Sequence, residues 1–145
     1  MPTAFWTMIL FALLLAVSVA DLRTQRIPDA FNAAIVLSGL GFAVLASPQG
    51  VGPHAIGAIA GFVPLALFGE AFYRLRGYEG LGLGDAKFFA GAGAWLGWRD
   101  LPLVLLVASL CGLAAALVWR RHLTEGRIAF GPFLALGTAA VWSLA

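Results

Sequence analysis

The sequence predicts an all-α membrane protein: a polytopic bundle of about six transmembrane helices, with both chain ends on the extracytoplasmic side. Hydrophobic residues make up 61% of its 145 residues and charged residues only 11%, and the mean hydropathy is +0.93. A soluble domain of this size could not hide that much apolar surface from water, so a lipid bilayer must cover it. The length fits a single domain, residues 1–145.

The apolar residues fall into six runs separated by charged or turn-forming clusters. A transmembrane helix takes about 20 residues, with a range of roughly 17 to 25, and five of the runs come close to this length. The fourth, of about 13 residues, crosses a bilayer only if flanking residues continue its helix. The runs are 3–20, 31–46, 55–72, 86–98, 101–119 and 128–144.

The first run ends at Asp21, and Pro28 comes shortly before the second. Turn formers in residues 47–54 separate the second run from the third and predict a plain connector there. Residues 74–85 separate the third run from the fourth, and Arg99 and Asp100 separate the fourth from the fifth. The chain therefore alternates between apolar runs and short polar connections.

The basic residues give the bundle an orientation. Eight of the nine lie in or beside the connections after the first, third and fifth runs, and only Arg99 lies elsewhere. The positive-inside rule then places those three connections in the cytoplasm. Topology therefore explains the net charge of +2, and no nucleic-acid partner is expected. The eight are Arg23, Arg26, Arg74, Arg76, Lys87, Arg120, Arg121 and Arg127.

We expect neither a cleaved signal peptide nor a cysteine zinc site in this chain. The small residues before Asp21 are compatible with a signal-peptidase site, but no positive segment precedes the apolar run, so we expect no cleavage. Cys111 is the only cysteine and lies inside an apolar run, so no CxxC pair can bind zinc. We expect no metal and no cofactor.

Small residues mark where helices should pack closely. On the fourth run they recur at helical spacing along one face, and Gly57 and Gly61 repeat the pattern on the third. Such faces let two backbones approach where lipid gives no hydrophobic reward. The opposite face of the fourth run is bulky and suits contact with lipid or with another helix, and Trp95 fits the interfacial aromatic belt. The small residues of the fourth run are Ala86, Ala90, Gly93 and Gly97.

Two aspartates stand at the same predicted membrane depth. Asp21 lies at the cytoplasmic end of the first helix, and Asp85 begins the fourth helix at the same face. Two carboxylates held close together cannot both ionise cheaply, so one keeps a proton while the other can act as a base. Taken alone, each aspartate also fits a helix cap or an interfacial charge.

Three short blocks resemble those of one family. Residues 80–87 read GLGLGDAK and contain the GxGD signature of the type IV prepilin peptidases, which are intramembrane aspartyl proteases. Residues 21–32 resemble the block that carries the partner aspartate, and residues 129–133, AFGPF, are similar to the FGPF block near the last helix. The blocks appear in the order found in that family and cover essentially the whole chain.

The resemblance implies a function. Asp21 and Asp85 would be the catalytic pair of a metal-independent endopeptidase that removes the short basic leader of prepilin-like proteins, typically after a glycine. The enzyme would lie in the inner (cytoplasmic) membrane with its active site facing the cytoplasm, and its partners would be the precursor and the bilayer. Larger members carry paired CxxC motifs associated with N-methylation. This chain looks like the short peptidase-only forms of tight-adherence (Flp) pilus systems, so no methyltransferase activity is expected.

Five further residues are candidates for shaping the site or contacting substrate. Gly82 and Gly84 would act through backbone geometry. Lys87 could favour the ionised form of Asp85, bind a substrate carbonyl or simply extend to the interface. Glu79 could contact the basic leader, and Arg23 lies beside Asp21 in the first block.

Two other acids have simpler explanations. Glu70 precedes Arg74 by four residues, the spacing of a favourable helical ion pair. Asp29 stands where the family often has asparagine, and it is a second candidate for contacting the leader.

A different class of function fits the same carboxylates. They could belong to a non-catalytic membrane subunit or to a small ion-coupled or proton-coupled transporter. A relay across the bilayer needs acids near the midplane, however, and the predicted spans contain none there. The sequence leaves open which prepilin and which bond are cleaved, which aspartate holds the proton, and the oligomeric state.

Overall fold

The structure is a computed structural model that describes residues 2–24, 26–77, 82–119 and 130–144. All regular structure in these residues is helical, as predicted. A short 3-10 turn, Trp98–Asp100, leads into the fifth of six helices. The helices are α1 (Pro2–Thr24), α2 (Asp29–Leu45), α3 (Val51–Arg76), α4 (Leu83–Leu96), α5 (Leu101–Trp119) and α6 (Gly131–Leu144).

Within the described ranges, three helical stretches are long and apolar enough to cross a membrane: Thr3–Thr24, Val51–Arg76 and Trp98–Trp119. The helices α2 and α6 are apolar but shorter, with 17 and 14 residues. A helical membrane bundle is therefore confirmed. The placement of the chain ends outside stays a prediction.

The short helix α4 occupies the centre of the bundle. It packs mainly against α2 and α3, and every residue from Phe88 to Leu96 is buried. Of the two possibilities left open for its bulky face, contact with lipid or with another helix, the structure shows packing on other helices. With protein on all sides, α4 needs no full bilayer span of its own.

Trp95 lies in the core, so its predicted place in the aromatic belt is wrong. Its indole Nε1 donates a hydrogen bond to the Ile35 carbonyl, with a donor–acceptor distance of 3.0 Å. Its ring stacks on Phe42, with the centroids 5.5 Å apart. The indole N–H therefore bonds a helix carbonyl inside the bundle and does not lie at the membrane interface.

The backbones of α3 and α4 approach each other closely. A Cβ on Gly57 would overlap the Gly93 carbonyl, and one on Gly61 would overlap the Phe89 carbonyl. These positions therefore need glycine, and the predicted small-residue packing is confirmed. The backbone of α4 is fixed in depth and rotation against α3.

The connector predicted for residues 47–54 is wrong at its end, because α3 begins at Val51. His54 is buried inside this helix. Its Nδ1 donates to the Ala94 carbonyl at 2.9 Å, and its Nε2 lies 2.9 Å from Ser47 Oγ. Because a carbonyl only accepts, the proton on this histidine belongs on Nδ1. His54 therefore joins the first turns of α3 to the far end of α4.

Candidate active site

Asp21 lies in the last turn of α1 and is only 5% exposed. Its Oδ2 accepts a hydrogen bond from the Gly131 backbone N–H at 2.7 Å. Gly131 is the first residue of α6, where backbone N–H groups have no partner within the helix and the helix dipole favours a negative charge. The start of α6 therefore holds the Asp21 carboxylate in one position.

Gly131 allows this contact because it has no side chain. A Cβ at this position would lie 2.5 Å from Asp21 Oδ2, closer than real Cβ atoms approach an oxygen. Pro132 follows in the first turn of the helix, where its missing N–H costs nothing. The contact with Asp21 and the start of the helix thus give physical reasons for the glycine and the proline of the third sequence block. The described part of this block is residues 130–133, and residue 129 lies outside it.

Asp85 lies in the first turn of α4 and is partly buried. The Gly82 carbonyl accepts the N–H groups of Asp85 at 3.1 Å and Ala86 at 3.4 Å, which starts the helix. The Asp85 carboxylate interacts electrostatically with Asp21. The fold therefore brings together two acids that are 64 positions apart in sequence.

The first turn of α4 also contacts the connection that follows Asp21. The backbone of Gly84 faces Ile27, and a Cβ added there would lie 3.6 Å from the Ile27 Cβ. A Cβ on Gly82 would lie 3.8 Å from Asp85 Oδ2. Both distances are ordinary van der Waals contacts, and neither glycine has a positive φ. A side chain at either position would therefore fit without a clash within the described chain, so local packing does not explain the two glycines.

Lys87 takes part in an ion pair that the sequence did not indicate. Its Nζ lies 2.8 Å from Asp29 Oδ1, which links α4 to the first turn of α2. The Lys87 side chain is 35% exposed and the Asp29 side chain 80%. An ion pair with this exposure contributes little to stability. It places two charges at one end of the contact between α2 and α4.

Asn32 belongs to the first sequence block, but it was not among the predicted site residues. It lies one turn after Asp29 on α2 and is only 3% exposed. Among the described residues, no group bonds its Oδ1 or its Nδ2. The available signal was a lone amide on an otherwise apolar helix, inside the first of the three sequence blocks.

The remaining predicted residues lie outside this cluster or outside the described chain. Arg23 is exposed, two residues after Asp21. Glu79 falls outside the described residues. The predicted pair of Glu70 and Arg74 is confirmed, with Oε1 and Nε 2.9 Å apart on the exposed side of α3. In the described ranges, no three histidine, cysteine, aspartate or glutamate side chains form a group that could hold a metal ion.

Comparison with known proteins finds the family that the sequence blocks resemble. The model of the type IV leader peptidase family matches residues 8–117. A prepilin leader peptidase/N-methyltransferase of Pectobacterium carotovorum subsp. carotovorum is 40% identical over 138 residues, covering 92% of this chain and 50% of the relative. A protein of the same name from Burkholderia pseudomallei (strain K96243) is 42% identical over 134 residues, covering 90% and 43%.

The same-named protein of Escherichia coli (strain K12) is 41% identical over 132 residues, covering 88% of this chain and 58% of the relative. The chain thus spans about half the length of the curated relatives it matches. No solved structure matches it significantly. From the family match over most of its length and the identity to these relatives, the chain belongs to the type IV leader peptidase family.

Proposed function

We propose that this chain is an intramembrane aspartic endopeptidase that removes the short basic leader from type IV prepilin-like precursors at the cytoplasmic face of the membrane. The observation that carries this proposal is that Asp21 and Asp85, two acids from distant parts of the chain, lie near enough for their charges to interact. The hydrogen bond from Gly131 to Asp21 supports it, because a catalytic carboxylate must be held in place. Membership of the leader peptidase family supports the substrate class.

The chemistry needs one carboxylate and one carboxylic acid. The ionised aspartate takes a proton from a water molecule, whose oxygen forms a bond to the scissile carbonyl carbon. The second aspartate gives its proton to the leaving amine nitrogen as the C–N bond breaks. Two acids close together meet this need, because their repulsion keeps one of them protonated.

We propose that the reaction needs no metal and that these residues do not carry methyl transfer. The printed sequence has one cysteine, Cys111, so it does not contain the paired CxxC motifs associated with methylation in larger members. The relatives bear both activities in their names and are about twice as long. The segment matched here would thus correspond to their peptidase part.

The test is co-expression with a prepilin-like precursor that has a basic leader, a glycine and an apolar segment. We expect the wild-type chain to shorten the precursor by the mass of its leader, with no added methyl group and no effect of a chelator. The Asp85→Asn variant, inserted at the same level, should leave the precursor intact. Processing by that variant would contradict the aspartic mechanism, and an intact precursor with the wild type would contradict the function.

A further inference from the structure

Asn32 buries a primary amide without satisfying it. The side chain is 3% exposed, and its Oδ1 and Nδ2 have no hydrogen-bond partner among the described residues. Buried polar groups are nearly always paired, and leaving them unpaired costs stability. A leucine of similar size would pack here at no such cost, so the amide needs another explanation.

Asn32 forms part of the wall of a groove of about 500 Å³ between α2, α3 and α4. Asp29 and Lys87, joined by their ion pair, lie at one end of it. Farther along α2 the groove is lined by apolar side chains such as Val36 and Leu37. These residues follow Asp29 by seven and eight positions, which is two turns along the same helix face.

The groove begins at the same end of α4 as the proposed catalytic site. Lys87 follows Asp85 by two residues, at nearly the same depth but on another face of α4. Asp29 begins α2 directly after the connection from α1, whose last turn carries Asp21. The groove has charged residues at this end and apolar side chains beyond them. A prepilin-like precursor has the same order, because its basic leader precedes an apolar segment. A basic side chain of the leader would replace Lys87 as the partner of the Asp29 carboxylate, which is 80% exposed.

A scissile peptide bond must lie in extended backbone, and an unwound stretch at membrane depth has unpaired N–H and C=O groups. A carboxamide offers two N–H donors and an oxygen acceptor, so it can pair with the N–H and the C=O of one residue in extended backbone, which point to the same side. The competing occupant, a lipid acyl chain, would fill the apolar part and leave Asn32 unpaired. The unpaired amide therefore favours a polypeptide.

We propose that Asn32 is a substrate-positioning residue that binds the main-chain N–H and C=O of one precursor residue beyond the scissile bond, while the groove holds the apolar side chains that follow. This role rests on the proposed peptidase function. The amide atoms are covered in the free chain, so the groove wall must shift slightly when substrate enters. Substrate and enzyme then satisfy each other's unpaired groups.

The test compares wild type with Asn32→Leu, which keeps the side-chain size and removes the amide. The probe is a synthetic peptide with a Lys/Arg leader, a glycine and an apolar segment, added to the purified chain in lipid nanodiscs. We expect kcat/KM to fall about 10- to 100-fold, mainly through KM, while Tm stays the same or rises. In the Asp85→Asn background, which does not cleave, binding of the probe should weaken by the same factor.

A second probe identifies which substrate residue forms the hydrogen bond with Asn32. An ester that replaces one peptide group after the glycine removes an N–H donor, and at one position it should weaken binding to the wild type but not to Asn32→Leu. Ser38→Ala is the matched control on α2, because the Ser38 hydroxyl bonds the Ile35 carbonyl of its own helix at 3.1 Å. We expect this control to bind both probes as wild type does.

The outcomes separate the two proposals. If wild type cleaves the peptide and Asn32→Leu does so with the same KM, the positioning role is wrong and the peptidase function stands. A fall in Tm with unchanged affinity would make Asn32 purely structural, and loss of a co-purified lipid with unchanged affinity would make the groove a lipid site. A wild-type chain that leaves the peptide intact contradicts both proposals.

Discussion

Asp21 is a nearly buried carboxylate whose position depends on a single backbone contact, the N–H of Gly131. A buried carboxylate costs free energy unless it is hydrogen-bonded. The first N–H of α6 meets this need and is itself left unbonded by its helix. Residues 110 positions apart are thus joined in one small unit.

Gly131→Ala should therefore lower peptidase activity with a smaller effect on the fold. The added methyl would start 2.5 Å from Asp21 Oδ2, so the carboxylate must move away from its donor. A displacement near 1 Å at a reacting group can cost about 100-fold in rate. The measurement is the rate of leader release by the purified variant, normalised to the amount of folded protein.

Gly112→Ala is the control for this variant. A Cβ there would contact Phe130 at 3.5 Å and Phe133 at 3.7 Å, on either side of Gly131, and both distances are ordinary. We expect near-normal activity from it. Equal activity in Gly131→Ala and Gly112→Ala would mean that the contact with Asp21 does not position the carboxylate for catalysis.

Some of the site residues could be predicted from sequence and others could not. The candidate pair Asp21 and Asp85 could be predicted because each residue ends or begins an apolar run and lies in a recognisable block. The ion pair of Lys87 with Asp29 joins residues 58 positions apart on two helices, and no local spacing encodes such a contact. The burial of Asn32 depends on how α2, α3 and α4 pack, which sequence periodicity does not specify.

At the scale of helices, α4 is the element that positions the site. Its first turn carries Asp85, and its remaining turns are buried against α2, α3 and α6. The direct backbone contact with Gly57 and Gly61 leaves α4 little freedom to slide or rotate. The site therefore depends on packing that lies several turns away from it.

Gly57→Ala should destabilise the bundle by about 1–3 kcal/mol, the usual cost of overpacking a tight contact. Its methyl would overlap the Gly93 carbonyl, so α3 and α4 must separate. Gly52→Ala is the matched control in the first turn of the same helix, where nothing lies within 4 Å of an added Cβ. Thermal unfolding of the two purified variants in the same detergent measures the difference.

We expect the control to unfold at or slightly above the wild-type temperature, because alanine favours the helix over glycine. If Gly57→Ala unfolds at the same temperature as Gly52→Ala, the close contact between α3 and α4 contributes no stability. If Gly57→Ala also has reduced activity, the contact between α3 and α4 helps to hold Asp85 in place.

The number of helices was predictable, but several of their ends were not. Apolar runs mark the middle of a membrane helix because lipid requires apolar side chains there. Helix ends carry polar residues that look like those of loops, so the predicted third run, 55–72, missed the first and last turns of α3, Val51–Arg76. His54 was assigned to a connector because turn formers surround it. Its hydrogen bond to Ala94 on another helix has no signal in the local sequence.

Across the whole molecule, charge and hydropathy together predict the orientation. Basic residues cluster at the end of the bundle that holds Asp21 and Asp85, while residues 47–50 lie at the other end of α2. The positive-inside rule places the aspartate end in the cytoplasm. A leader peptide that stays in the cytoplasm would meet the site directly.

Labelling of single cysteines in intact cells tests this orientation. In a Cys111→Ala background, Thr24→Cys lies at the exposed end of α1 and Gln49→Cys in the exposed connection between α2 and α3. We expect a membrane-impermeant thiol reagent to label Gln49→Cys in intact cells and Thr24→Cys only after the membrane is opened. The reverse pattern would place the aspartates outside and contradict cleavage at the cytoplasmic face.

The most direct measurement is the rate of leader release by purified wild type, Asp21→Asn, Asp85→Asn and the double variant, each shown to be folded. We expect each single change to lower the rate by about 100- to 10,000-fold, the usual share of a positioned acid or base. The double variant should be no slower than the singles, because two groups that act as one unit are not additive. A folded single variant that keeps a rate near that of wild type would contradict a catalytic pair formed by Asp21 and Asp85.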